Sequence, residues 1–179
     1  VHMFFTPEFA PYYFDAYYKE DMILLEIVSR VGGGIRELTK KAKEFLAREY
    51  GFILEGKPAK VEACTEPLIF RELFSGAFLP ARGNVLLVGD AGGMQMPVTA
   101  EGIGTALKSG IMASDAVALA SHKGEKADKL YLPEVARLVE EIKKIYGWTK
   151  RIREASSLSP KVLSETLQGA WSEGLRMGE

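Results

Sequence analysis

The stretch NVLLVGDAGGMQMPVTAEGIGTALKSG, residues 84–110, decides how this chain is read. The run Val85-Leu86-Leu87-Val88 is short and apolar on both alternating faces, the pattern of a strand covered on both sides in an α/β sheet. It ends in Gly89-Asp90. In such sheets ligands sit beyond the carboxyl ends of the strands. Asp90 is therefore placed at a ligand edge, where its carboxylate can accept hydrogen bonds from hydroxyls, and Gly89 lets the backbone approach closely. The small-residue loop Ala91-Gly92-Gly93 follows, Pro97 fixes the approach, and Thr99 is placed to cap a helix with Glu101 and Gly102 in its first turn. The N–H groups of Gly102, Ile103 and Gly104 would then offer a place for negative charge. Gly102, Ala106, Gly110, Ser114 and Ala118 recur every four residues, a ridge of small side chains that predicts close helix packing. Each glycine in it costs about 1 kcal/mol of helix propensity.

The plain alternative is an ordinary strand-turn-helix connection, since a lone Gly-Asp is common. A dinucleotide fingerprint does not fit: Leu107 stands where the third glycine should follow Gly102-Ile103-Gly104, and no strand directly precedes them. The order of the whole segment narrows the choice. GDAGGMQMPVTAEGIGTALKSG resembles the second flavin motif of FAD-dependent reductases and aromatic hydroxylases of the para-hydroxybenzoate hydroxylase type. It is closest to the geranylgeranyl reductase branch, whose motif looks like GDAAG…P.TGEGI…A..SG, and the likeness covers residues 84–115.

That resemblance implies FAD as cofactor, with Gly89, Asp90, Ala91, Gly92, Pro97, Gly102, Ile103 and Gly104 as cofactor-binding residues. Asp90 would hold the ribityl hydroxyls. The helix N-terminus would point at the pyrimidine edge, where reduction places negative charge. Two departures stand out. Ala100 replaces the branch's usual glycine, and the GxGxxG unit that holds the ADP half is absent upstream of residue 84. The chain is thus expected to be the C-terminal portion of a longer flavoprotein, inactive alone, its hydride transfer running through flavin N5. No residue is assigned as a general acid or base. An oxygen-using aromatic hydroxylase and a non-catalytic α/β domain that binds a partner through tyrosine-rich strands stay open as alternatives.

Composition bounds the rest. With 179 residues, 47% hydrophobic and 26% charged, the chain can build a real core. A net charge of −1 gives no electrostatic case for nucleic acid. No apolar run approaches the roughly 18 residues of a membrane span. The expected setting is cytoplasmic, with a membrane-peripheral placement left open. The expected partners are a small-molecule or lipid-like apolar substrate and a reduced nicotinamide or other electron donor. Metal-ligand spacing is not found.

Along the chain, FFTPEFAP at residues 4–11 predicts an irregular lead-in, and Val1-His2-Met3 could be a remnant before an internal start. Tyr12–Tyr18 and Met22–Val28 predict a hairpin around a polar break. The aromatics here, with Phe9, either line a substrate cleft or, as the better reading, pack a sheet against a helix. Gly32-Gly33-Gly34 reads as a hinge, matching no phosphate-loop pattern. Ile35, Leu38, Ala42, Phe45 and Leu46 share a helix face that Gly51 closes. Residues 59–70 carry β character, with Cys64 a buried, inert thiol, and residues 71–83 predict a connecting loop. Two amphipathic helices follow, over 131–152 with Pro133 in the first turn and from Ser159-Pro160 onward. The fold class expected is α/β (α+β): a substrate-side antiparallel sheet and crossover helix over 1–80, part of a flavin-binding domain over 81–125, and C-terminal helices over 126–179.

Overall fold

Strand β2 (Phe14–Lys19) alternates in side-chain direction, and its first three residues, Phe14, Asp15 and Ala16, are all buried. Phe14 and Ala16 point to one side, Asp15 and Tyr17 to the other. It pairs antiparallel with β3 (Met22–Ile27) in the register Phe14↔Ile27, Asp15↔Glu26 and Tyr17↔Leu24. The expected hairpin is therefore present. Its turn needs no glycine because Glu20 itself takes the left-handed conformation, at φ 55°. The irregular lead-in is corrected at its start: His2–Phe4 forms β1, antiparallel to β2. Phe4 belongs there because its ring stacks on Phe14, with centroids 4.7 Å apart.

The computed structural model describes residues 2–6, 9, 13–65, 68–99 and 101–176. Tyr12 and Ala100, both singled out in the sequence, lie outside them. The chain divides into two units, Val1–Thr65 with Arg153–Leu163 and Glu66–Ile152 with Ser164–Glu179. In the first, α1 (Ile35–Tyr50) starts after a turn in which Gly32 and Gly34 have positive φ. It ends where Gly51 N–H donates to Ala47 O and Phe52 N–H to Leu46 O, both at 3.1 Å, with Gly51 left-handed as its position predicts. Ala42 and Leu46 of α1 pack with Phe9, Phe14 and Ala16 into one apolar cluster, flanked by Phe4, Leu38 and Phe45. The aromatics Phe9 and Phe14 thus pack the sheet against the helix, whereas Tyr18 is exposed.

The β character read over 59–70 is not realised. Residues 59–65 and 68–69 form no strand, and Phe70–Ser75 is a short helix, α2, where a loop is expected. Phe70 and Leu73 explain the helix: helical spacing lets both enter the core of the second unit. Cys64 is exposed, not buried, because its segment pairs with nothing.

The second unit holds α3 (Ile103–Lys123) and the larger parts of α4 (Asp128–Ser156) and α5 (Pro160–Arg176), whose adjoining ends within Arg153–Leu163 belong to the first. The core of the second unit gathers Phe70, Leu73, Met94, Ala116, Tyr131, Val135, Leu138 and Ile142. α4 begins at Asp128, before the expected Tyr131, so Pro133 lies in the second turn. α5 starts as expected, with Val162 N–H donating to Ser159 Oγ at 3.2 Å.

The architecture is α+β. The doubly covered strand of an α/β sheet is corrected. β5 is only Val85–Leu86, and it pairs antiparallel with β4 (Ala81–Arg82), not within a parallel sheet. Val85 is 66% exposed. Its apolar character therefore comes without the cover that the pattern implies. Among the described residues no helix is long and apolar enough to cross a membrane, and no group of three or more His, Cys, Asp or Glu could hold a metal.

Candidate functional site

The hairpin β4–β5 turns at Gly83-Asn84, and the start of α4 holds that turn in place. Gly83 N–H donates to the Asp128 carboxylate, Asp128 N–H donates back to Gly83 O at 2.9 Å, and Ala127 N–H donates to Asn84 Oδ1 at 3.2 Å. Leu87 N–H reaches Pro80 O at 2.8 Å, prolonging the ladder by one bond. Beyond it the chain is anchored by side chains. The buried Tyr131 donates its hydroxyl to Leu87 O at 2.8 Å, and burial pushes the pKa of that hydroxyl up to about 12, so it stays a donor at any physiological pH.

Gly89–Gly92 is a single 3-10 turn, tied by Gly93 N–H to Asp90 O at 2.9 Å and Met94 N–H to Gly89 O at 3.0 Å. The Gly89 N–H is buried, and Ser109 Oγ of α3 accepts it at 2.9 Å while donating to Thr105 O at 2.7 Å. Ser109→Ala should leave that N–H without a partner, at a cost of about 1–3 kcal/mol. Denaturant titration checks this, and an unchanged midpoint would show the bond contributes nothing.

Gly89 and Gly102 are glycines for steric reasons. Gly89 has φ 54°, and a Cβ there would lie 2.7 Å from the Ala106 Cβ. A Cβ on Gly102 would collide with Asp90 Oδ1. The Asp90 carboxylate is thus seated directly on the backbone before α3, with Oδ1 covered and lacking a hydrogen-bond partner. Beside it opens a depression of about 570 Å³ lined by Val88, Gly89, Asp90, Ala91, Glu101, Gly102, Ile103 and Ala106. This volume falls in the range of small-molecule sites.

Five of the eight residues chosen from sequence therefore meet: Gly89, Asp90, Ala91, Gly102 and Ile103. Gly92, Pro97 and Gly104 lie outside the lining. A side chain at Gly92 would strike Met94 and approach Leu87 O at 3.1 Å, so that glycine answers to packing. The cap of α3 also differs from expectation. Thr99 Oγ1 accepts the Glu101 N–H at 3.3 Å, and Glu101 Oε1 in turn accepts the Gly104 N–H at 3.0 Å. Gly104 therefore has no free N–H for an anion. Only the upper part of the small-residue ridge packs, Gly102 on Asp90 and Ala106 on Gly89, while Ser114 and Ala118 are exposed and Gly110 has open space around it. The buried stripe of α3 is Thr105, Ser109, Ala116 and Ala120.

No protein-family model, curated protein or solved structure matches this chain.

The donor and acceptor balance of the depression thus has to be read from its residues alone. Two carboxylates, Asp90 and Glu101, line it, and no lysine or arginine does. Such an edge accepts hydrogen bonds from hydroxyls and repels phosphate. Sequence reading missed Ser109, Tyr131 and Asp128, which position the loop. Thr105 and Ser109 carry a faint signal, two polar residues at helical spacing on an otherwise apolar stripe. Tyr131 and Asp128 carry none.

Proposed function

We propose that this chain supplies the flavin-proximal part of an FAD site in an oxidoreductase of the geranylgeranyl reductase type. The observation that carries the reading is the seating of Asp90. Its carboxylate sits at the rim of an open depression, packed against Gly102, which admits no side chain, next to the N-terminus of α3. The residues fit the ribityl end of the cofactor, which presents hydroxyl donors to Asp90. They do not fit a pyrophosphate, which needs donors where this edge has carboxylates, so the ADP half would be held by other residues. A flavin bound here would supply hydride transfer; the chain's own part is to bind and orient it. An apolar or lipid-like substrate and a nicotinamide donor belong to the same proposal.

The test is flavin content. In the full-length natural protein, Asp90→Ala should lose most of its flavin absorbance on purification, by about tenfold or more, with the helical circular dichroism retained. A fully yellow Asp90→Ala protein would count against the reading. A wild-type protein that binds no flavin at all would favour a non-catalytic role. Rapid oxygen uptake on adding an aromatic substrate and reduced nicotinamide would move the reading to a hydroxylase.

A further inference from the structure

We propose that Glu101 sets the charge of this site, withholding the positive end of α3 from the bound ligand and lowering the reduction potential of the flavin. The proposal rests on the flavin reading above. A helix N-terminus behaves as roughly half a positive charge and normally stabilises an anion placed against it. Here Glu101 occupies that place with a full carboxylate.

Three hydrogen bonds hold Glu101 there. Its N–H donates to Thr99 Oγ1 at 3.3 Å, its carbonyl accepts Met96 N–H at 2.8 Å, and its Oε1 accepts Gly104 N–H at 3.0 Å. The residue lines the same depression as Asp90, Gly102 and Ile103. Asp90 is the second carboxylate, its Oδ1 covered without a partner. The local balance is therefore negative although a helix begins there. Reduction places negative charge near flavin N1 and O2, and that charge would meet Glu101 where an unoccupied helix N-terminus would have welcomed it. The oxidised cofactor, neutral at that edge, is the form this site favours.

The experiment is the midpoint potential of the flavin in the full-length natural protein, measured by dye equilibration at low ionic strength because Glu101 is exposed and screened by salt. Glu101→Gln keeps a side-chain oxygen for Gly104 N–H and removes only the charge. It should shift the oxidised/reduced equilibrium about tenfold toward reduced, about 30 mV upward for a two-electron couple. Glu101→Asp, which retains the charge, should stay near wild type. An unchanged potential in Glu101→Gln with flavin fully bound would overturn the proposal while leaving the flavin site standing. Equal shifts in Gln and Asp would overturn it too, by showing that the geometry of the helix start matters and the charge does not. A wild-type protein without flavin would take down the flavin reading, and this proposal with it.

Discussion

Gly89→Ala is expected to destabilise the second unit by about 2–4 kcal/mol, whereas Gly110→Ala, further along the same stretch, should stabilise it by about 0.5–1 kcal/mol. The two glycines differ in both backbone and surroundings. Gly89 has φ 54°, and an L side chain in that conformation costs about 1–2 kcal/mol by itself. The new methyl would also lie 2.7 Å from Ala106 Cβ and 3.1 Å from Ala106 Cα, a helix backbone that cannot turn aside as a flexible side-chain tip can. Either the 3-10 turn lifts off α3, breaking the Gly89–Ser109 bond, or α3 shifts; both are overpacking costs of a few kcal/mol. Gly110 lies within α3 with a negative φ, and a methyl added there would have no atom within 4 Å, so alanine gains helix propensity and meets nothing. Urea or guanidinium unfolding of both variants measures the contrast. Equal effects of the same sign would show that the close approach of the turn to α3 is not as described. A loss at Gly110 would mean that the open face of α3 is covered in the protein as it works.

The elements that were legible in the sequence are those defined by their own neighbours. α1 carries its stripe and its stop at Gly51 within one window, and Leu38, Ala42, Phe45, Leu46 and the stop appear where expected, whereas Ile35, read on the same face, is exposed in the first turn. The β2–β3 hairpin was legible from two β-favouring runs around a polar break, and the turn falls in that break. The turn's geometry was not legible, because Glu20 adopts a left-handed conformation for which no local residue signal exists. Elements defined by a distant partner were not legible. β1 is three residues long and exists only because β2 accepts it. Residues 59–65 have β-favouring side chains but no strand to pair with, and β propensity without a partner does not make a strand.

The same division runs through the candidate site. Asp90 and Gly102 were found because both stand in the Gly-Asp and Glu-Gly-Ile-Gly signals of one strand-turn-helix path, whereas their contact was not read from sequence. Ser109, Tyr131 and Asp128 act on that path across 20, 44 and 45 residues, respectively. Nothing in a single sequence marks such pairs, because a serine inside a helix and a tyrosine on an apolar stripe both read as packing. The apolar quartet Val85–Val88 misled in the opposite way. It has the composition of a buried strand, yet Val85 is largely open, and Ile103, Leu107 and Ile111 of α3 are also exposed. A helix apolar on most of its circumference normally lies buried on most of it.

Asp15→Asn is expected to stabilise the protein at pH 8 and to do little at pH 4. Asp15 is only 6% exposed, and its Oδ1 has no hydrogen-bond partner. Burial, then the facing charge of Glu26, pushes its carboxyl up to about 6 from an ordinary 3.8. Glu26 stands opposite Asp15 in the β2–β3 register, and like charges directly across an antiparallel pair repel. Tyr17 donates its hydroxyl to Glu26 at 2.6 Å, and that bond is the first cause of a hydroxyl raised to about 12, so Tyr17 stays protonated throughout. The sign follows from proton binding. Between about 3.8 and 6 the folded chain holds a proton on Asp15 that the unfolded chain has released, so stability is fully present below pH 3.8 and is lost as pH rises through 6. The full shift corresponds to about 3 kcal/mol, and solvent reaching the sheet reduces this to about 1–2 kcal/mol. Asparagine has the size of the carboxylate and no charge to desolvate, so its thermal midpoint should exceed that of wild type by several degrees at pH 8, at about 2–4 °C per kcal/mol for a chain of this size. The gap should close toward pH 4. A constant gap across that range would assign the effect to packing, and no gap at all would mean that Asp15 ionises in the fold without penalty. The contrast with Gly89 locates the two costs: one is steric and lies at the candidate site, the other is electrostatic and lies on the far face of the β1–β3 sheet from α1.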